Sequence, residues 1–110
     1  ISSIQVAAAR LGLVLEETVL LTFHIDGDIE TVKLELLNSV RESKIAVVLV
    51  GLRFMPKDVA GFLISNGIDS KLPVTIYENL TLKNERTFNG ELNDLLGRKF
   101  SYLSVMIIGK

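Results

Sequence analysis

Cysteine is absent from this 110-residue chain, and histidine occurs only once. Without cysteine the chain can form no disulfide and offers no thiolate nucleophile. One imidazole without cysteine partners cannot build a structural zinc site. The sequence also lacks a Gly-x-Ser-x-Gly motif, and its Ser, His and Asp residues show no recognisable triad arrangement. We therefore expect neither a metal site nor a covalent catalytic residue.

The single histidine, His24, follows a predicted strand, at the end where α/β sheets place ligands. A hydrogen-bonded turn histidine is the favoured interpretation, and a ligand contact is the alternative. Asp26, Gly27 and Asp28 come next and resemble the opening of a calcium loop. The later ligands of such a loop do not fall at the required offsets. A turn in which Asp28 caps the following helix fits this segment better.

Charge of one sign is not concentrated anywhere along the chain. The 12 Lys and Arg residues and the 13 Asp and Glu residues are mixed, for a formal net charge of −1. Because no basic cluster is visible, we expect no nucleic-acid partner. The longest apolar run, residues 45–50, is far shorter than the roughly 20 residues that span a bilayer, so we expect no membrane contact. The lack of cysteine is compatible with a cytoplasmic location, which is our expectation.

Regular secondary structure is predicted along most of the chain. Runs of apolar and β-branched residues predict strands at residues 18–23, 45–50, 73–77, 85–88 and 103–108. Apolar spacing, caps and glycine stops predict helices at residues 2–12, 29–40, 56–66 and 92–97. This order predicts a single α/β domain with a small mixed sheet of about five strands, flanked by about four helices. The strand at 85–88 is expected to reverse direction in a hairpin.

Polar residues at predicted strand ends are the candidates for function. Gly51 is either a turn residue or a point where backbone approaches a ligand closely. Glu78 and Asn79 follow another strand, where Asn79 either ties down its own loop or forms a polar wall for a cofactor. Arg86 is expected to pair with Glu78 or Glu85 and hold this loop. The residues alone leave these alternatives open.

Four segments of the chain resemble the tetrapyrrole (corrin/porphyrin) methyltransferases. The alanine-rich opening at residues 1–13 is similar to the family's hinge helix, and residues 56–68 are similar to its middle helix. Residues 73–91, with Glu-Asn-Leu and Glu-Arg, resemble a third family segment, and Phe-Ser-Tyr-Leu-Ser-Val at 100–105 resembles the start of its last strand. Their order and spacing match the family over nearly the whole chain.

The resemblance implies a two-domain class III methyltransferase that binds S-adenosyl-methionine in the trough between its domains. Residues 1–110 then correspond to the C-terminal domain with the hinge helix at 2–12. The glycine-rich loop and Gly-Asp-Pro segment of the N-terminal domain do not occur in this sequence, so that domain is expected to be missing. The family pattern implies that Ser2, Ser3, Gly51 and Leu80 contact the cofactor.

The resemblance also implies a reaction, the transfer of a methyl group to C5 of a precorrin in cobalamin biosynthesis. The acceptor carbon attacks the methyl group directly, so the protein mainly aligns two ligands and needs no nucleophile of its own. Homodimers are typical of the family. The alternatives are a non-catalytic dimerisation or interaction module, and a methyltransferase of the same superfamily that acts on uroporphyrinogen, diphthine or ribosomal RNA.

Overall fold

The computed structural model describes residues 18–23 and 28–109. The predicted helix at residues 2–12, with Ser2 and Ser3, and the turn with His24 lie outside the described residues. The described strands are β1 (Thr18–Thr22), β2 (Ile45–Leu49), β3 (Pro73–Glu78), β4 (Arg86–Glu91) and β5 (Ser104–Ile108). The described helices are α1 (Glu30–Arg41), α2 (Pro56–Ser65) and a 3₁₀ helix (Leu92–Gly97). None of these helices is long and apolar enough to cross a membrane.

The described strands form one mixed sheet in the order β1-β2-β5-β3-β4. β1 pairs with β2 in parallel, and β5 lies antiparallel to both β2 and β3. β3 therefore points in the same direction as β1 and β2. The carboxyl ends of these three strands and the amino ends of β4 and β5 meet at one edge of the sheet, which we call the carboxyl edge. The predicted α/β fold with a mixed sheet is confirmed.

The predicted hairpin between β3 and β4 is also confirmed, but β4 continues to Glu91 instead of ending at residue 88. All six residues of β3 have partners in β4, so the ladder extends the second strand through polar residues that have little strand preference of their own. Thr75 Oγ1 donates a hydrogen bond of 2.8 Å to Asn89 Oδ1 across this pair. Tertiary pairing has here overridden local propensity.

Carboxylates satisfy backbone donors at the start of both described α-helices, although Ile29, and not Asp28 as predicted, is the N-cap of α1. The carboxylate of Asp28 accepts the N–H of Glu30 at 2.8 Å, which satisfies a donor at the start of α1. Pro56 occupies the first turn of α2, where its missing N–H costs nothing. The carboxylate of Asp58 accepts the N–H of Met55 at 3.1 Å and completes the start of this helix.

The hydrophobic core lies on both faces of the sheet. On one face, α1, α2 and the 3₁₀ helix supply fully buried leucines, among them Leu36, Leu63 and Leu92, which pack against inward-facing strand residues. Because side chains alternate along a strand, the other face carries a second buried cluster. That cluster consists of Val47, Tyr77, Leu80, Val105 and Ile107. The apolar run predicted to be buried on both faces, β2, contributes to both clusters.

Candidate functional site: a cleft at the carboxyl edge

The carboxyl edge contains a cleft with a volume of about 350 Å³. Its lining comes from three adjacent strands: the end of β2, the loop after β3 and the segment that leads into β5. The lining residues are Leu49, Val50, Asn79, Leu80, Thr81, Leu82, Tyr102, Leu103 and Val105. Clefts outside the carboxyl ends of parallel strands are the usual ligand sites of α/β sheets. This cleft is therefore the candidate site.

The loop after β3 has an unusual backbone. Asn79 and Thr81 have φ angles of 53° and 69°, in the left-handed region that side chains other than glycine rarely adopt. Between them, Leu80 is buried. The N–H of Thr81 donates to Glu85 Oε1 at 2.8 Å, and the N–H of Leu82 donates to the carbonyl of Asn79 at 2.9 Å. Left-handed residues that are fixed by their surroundings cluster at functional sites, which supports a role for this loop.

The buried carboxylate of Glu78 holds the two sides of the cleft together. One of its oxygens accepts the N–H of Ser101 at 2.7 Å, and the other accepts from Nε and Nη2 of Arg86 at 3.1 Å and 3.0 Å. Only 7% of the Glu78 side chain is exposed, whereas 74% of the Arg86 side chain is exposed. The predicted pairing of Arg86 with Glu78 is confirmed. Glu85, the other candidate partner, accepts the N–H of Thr81.

Asn79 adds a second set of bonds between the same segments. Its N–H donates to the carbonyl of Leu103 at 2.8 Å, and its Oδ1 accepts the hydroxyl of Ser101 at 2.9 Å. Its Nδ2 donates to the carbonyl of Asn84 at 3.4 Å, within its own loop. Ser101 Oγ in turn accepts the N–H of Leu103 at 3.1 Å. Asn79 thus ties down its own loop and also forms a polar part of the cleft wall.

Four residues were predicted to contact the cofactor, and the two that the structure describes lie in or next to the cleft. Leu80 lines it, and Gly51 directly follows the lining residue Val50. Gly51 is buried, and its carbonyl accepts the N–H of Phe54 at 3.0 Å in an isolated bridge that closes a turn. Positive φ among the described glycines occurs at Gly67 and Gly109, so Gly51 is a turn residue without left-handed backbone. Ser2 and Ser3 lie outside the described residues.

Residues 101–103 were missed as site residues by reasoning from the sequence. They form the wall opposite the β3 loop, and Tyr102 and Leu103 line the cleft with about half of each side chain exposed. The only signal for them was the resemblance of residues 100–105 to a family segment. Their place in the site depends on the bonds from Glu78 and Asn79, which join positions more than 20 residues apart in the chain.

The chemistry of the lining suits binding by shape and backbone contacts. Its described side chains are mostly aliphatic, and none is a carboxylate, amine or imidazole. Among the described residues, no group of His, Cys, Asp and Glu side chains could hold a metal ion. Apolar walls with a few fixed polar groups are typical of sites for small molecules with a flat, apolar part.

A family model describing the Tetrapyrrole (Corrin/Porphyrin) Methylases matches residues 1–96. The chain therefore belongs to the tetrapyrrole methylase family. Over 110 aligned positions it is 36% identical to the probable cobalt-precorrin-7 C(5)-methyltransferase of Methanocaldococcus jannaschii. That alignment includes 97% of this chain but 48% of the relative, so the chain spans about half the length of the curated relative it matches.

Solved structures have the same fold at lower sequence identity. The precorrin-6Y methylase of Archaeoglobus fulgidus matches with a TM-score of 0.60 and 24% identity, over 100% of this chain and 45% of that one. The uroporphyrin-III C-methyltransferase of Thermus thermophilus, complexed with S-adenosyl-homocysteine, matches with a TM-score of 0.58 and 17% identity. This alignment covers 84% of the present chain and 39% of the other. Both matches support the assignment of the fold.

Proposed function

We propose that this chain is the C-terminal domain of an S-adenosyl-methionine-dependent methyltransferase that methylates C5 of a corrin precursor in cobalamin biosynthesis. The observation that carries the proposal is the cleft at the carboxyl edge, with its buried Leu80 between two left-handed residues. The relative that is 36% identical is named as a probable cobalt-precorrin-7 methyltransferase, which supports the choice of the corrin branch.

The described residues fit an adenosine group. The cleft volume of about 350 Å³ lies within the range of small-molecule sites, and its aliphatic lining suits the faces of a purine ring. The left-handed backbone at Asn79 and Thr81 fixes the N–H and the carbonyl of Leu80 between them, which are the proposed partners of the adenine edge. The Asn79 carbonyl and the Thr81 N–H are already bonded within the loop. Gly51 would bring backbone to the other side, and Ser2 and Ser3 are proposed to contact the cofactor as well.

The bound cofactor would supply a methyl group on a sulfonium centre. The task of this chain is to hold that cofactor in one orientation and to keep water away, since transfer to a ring carbon depends on alignment. The bonds from Glu78 and Asn79 to residues 101–103 give the cleft fixed walls before a ligand arrives. Such preorganisation reduces the entropy that binding must overcome.

The rest of the proposed enzyme follows from the family. An N-terminal domain would form the opposite wall of the trough, in agreement with the alignment of this chain to about half of its relative. A homodimer in the cytoplasm is the proposed assembly and location. The complete polypeptide is expected to bind S-adenosyl-homocysteine at least about tenfold more tightly than the 110-residue chain alone, because one domain buries only part of the ligand.

The test measures S-adenosyl-homocysteine binding by calorimetry with the complete polypeptide and two matched variants. Leu82→Asp places a charge in the cleft, and Leu34→Asp places the same charge on the exposed side of α1; both leucines are more than half exposed. Leu82→Asp should weaken binding about tenfold, since a carboxylate replaces apolar lining. Leu34→Asp should leave binding unchanged. If the two variants change the affinity for S-adenosyl-homocysteine equally, the cofactor does not bind in this cleft.

Two further outcomes separate the alternatives. If the complete polypeptide dimerises but shows no affinity for S-adenosyl-homocysteine, the chain is an interaction module. Mass spectrometry follows methylation of uroporphyrinogen and of a corrin precursor. If the polypeptide binds the cofactor and methylates only uroporphyrinogen, the proposed enzyme class is correct and the proposed substrate is wrong.

A further inference from the structure

Five cationic side chains surround two adjoining grooves on the helix-covered side of the carboxyl edge. Residues from α1, from the loop after β2, from α2 and from the segment after the 3₁₀ helix contribute to these grooves, which share Lys57 and Asp58. The cations are Lys33, Arg53, Lys57, Arg98 and Lys99, and we call them the basic surface. Asp58 is the one carboxylate among the described lining residues, and it accepts a hydrogen bond from the N–H of Met55.

Aromatic rings hold two of these cations in place. Lys33 Nζ lies 5.3 Å from the ring centre of Phe54 and 5.0 Å from that of Phe62. The guanidinium of Arg98 lies 4.5 Å from the ring centre of Phe88. Such contacts fix the position of a cation. Lys33 Nζ also pairs with Glu30 Oε2 at 3.1 Å, so part of its charge is neutralised, whereas Arg98 is exposed. Lys57 and Lys99 are exposed, and neither joins an ion pair with another described residue.

The basic surface is continuous in sequence with the cofactor cleft at two places. Leu49 and Val50 line the cleft, and three residues later Arg53 opens the basic surface. Arg98 and Lys99 belong to the basic surface, and three residues after Lys99 the chain lines the cleft at Tyr102. The same two segments therefore connect the proposed methyl donor site with the basic surface.

We propose that the basic surface binds the carboxylate side chains of the macrocyclic substrate. This inference rests on the proposed function, because a corrin precursor carries acetate and propionate groups around its rim. A ligand whose carboxylates point in several directions can contact several separated cations at once, which a ligand with a single negative charge cannot do. The cations hold the rim of the macrocycle while the cleft holds the cofactor, so both ligands are positioned by segments that share one edge of the sheet.

The experiment uses uroporphyrin, a soluble fluorescent macrocycle with acetate and propionate on each pyrrole, and the complete polypeptide. Fluorescence anisotropy compares the wild type with the double variant K57E/K99E. The control K44E/K71E makes the same change in net charge at the opposite edge of the sheet. K57E/K99E should weaken uroporphyrin binding about tenfold at low salt, and by less at high salt, because the lost contacts are between exposed charges. The control should change affinity less than about twofold.

Calorimetry with S-adenosyl-homocysteine accompanies each variant, and its affinity should be unchanged. If K57E/K99E and the control have equal effects, or if uroporphyrin does not bind the wild type, the inference is wrong although cofactor binding still supports the proposed function. If a porphyrin with cationic substituents binds as well as uroporphyrin, the macrocycle rather than its carboxylates is recognised. A single-stranded oligonucleotide that competes at equal concentration would indicate a nucleic-acid surface instead.

Discussion

The two edges of the sheet both contain left-handed residues, but for different reasons. The edge opposite the carboxyl edge, which we call the amino edge, contains the amino ends of β1, β2 and β3, and α1 and α2 end there in Schellman turns. The N–H of Lys44 donates to the carbonyl of Ser39, and the N–H of Ile68 donates to that of Leu63, each at 3.0 Å. The residue before each donor, Ser43 or Gly67, has positive φ. These conformations satisfy helix carbonyls that would otherwise lack donors.

At the carboxyl edge, Asn79 and Thr81 adopt positive φ without any helix to terminate. Asn79 is held by bonds to Ser101 and Leu103, in a distant part of the chain, whereas the N–H of Thr81 is held by Glu85 within the loop. Unfavourable backbone that is maintained by tertiary contacts is expected where a binding surface must be fixed. Left-handed backbone thus completes helix ends at the amino edge, whereas at the carboxyl edge it shapes the loop that lines the candidate site.

The largest effect on stability is expected in the core, away from both edges. Leu63→Ala should lower the free energy of unfolding by about 3 kcal/mol, because a fully buried leucine leaves a cavity. The same change at exposed Leu34 should cost less than about 0.5 kcal/mol. Urea denaturation measures both. The affinity of the folded protein for S-adenosyl-homocysteine should be unaffected by either change, and a loss of affinity would show that core and cleft are coupled.

Glu78→Ala should affect both stability and the site. The substitution leaves the N–H of half-buried Ser101 without its acceptor and removes the partner of Arg86, for an expected loss of about 2 kcal/mol in unfolding free energy. Cofactor affinity should also fall about tenfold, because residues 101–103 lose their anchor. Arg86→Ala should be milder, since Glu78 keeps its bond to Ser101. If the two variants are equivalent, the ion pair and not the backbone bond organises the cleft.

Gly51→Leu should weaken cofactor binding about tenfold, because Gly51 is buried directly after the lining residue Val50 and its backbone is a proposed cofactor contact. Gly51 does not have positive φ, so its backbone does not by itself reject leucine. Gly51→Ala is the matched control and should have a smaller effect. Calorimetry and the thermal unfolding midpoint are measured together. A midpoint that collapses with affinity per folded molecule unchanged would make Gly51 a turn residue only.

The smallest effects come from a matched pair that compares the edges directly. Thr81→Gly and Ser43→Gly both place glycine at a left-handed position, and each should stabilise the fold by about 0.5–1 kcal/mol. Only Thr81→Gly should weaken cofactor binding, by about twofold to threefold, because the loop loses preorganisation. Denaturation and calorimetry measure these effects. If Ser43→Gly weakens binding equally, the proposed difference between the edges does not exist.

Much of the fold could be predicted because its signals are local. The apolar run of β2, the glycine and proline boundaries of α2 and the hairpin of β3 and β4 all depend on residues close together in the chain. Part of the site was predictable for the same reason. Glu78 and Arg86 lie within one hairpin, where strand register brings them together, whereas Leu80 was expected in the site only from the family resemblance.

The sequence by itself therefore determined most of the described elements, their mixed sheet and the pairing of Glu78 with Arg86 beside the cleft. The tertiary structure decided the rest. It brought Ser101 and Leu103 to Glu78 and Asn79 to make the second wall, and it gathered the basic surface from four separate segments of a chain whose charges look evenly mixed. The physical reason is that periodicity and capping act over one or two turns, whereas these contacts depend on strand order and packing between residues distant in the chain.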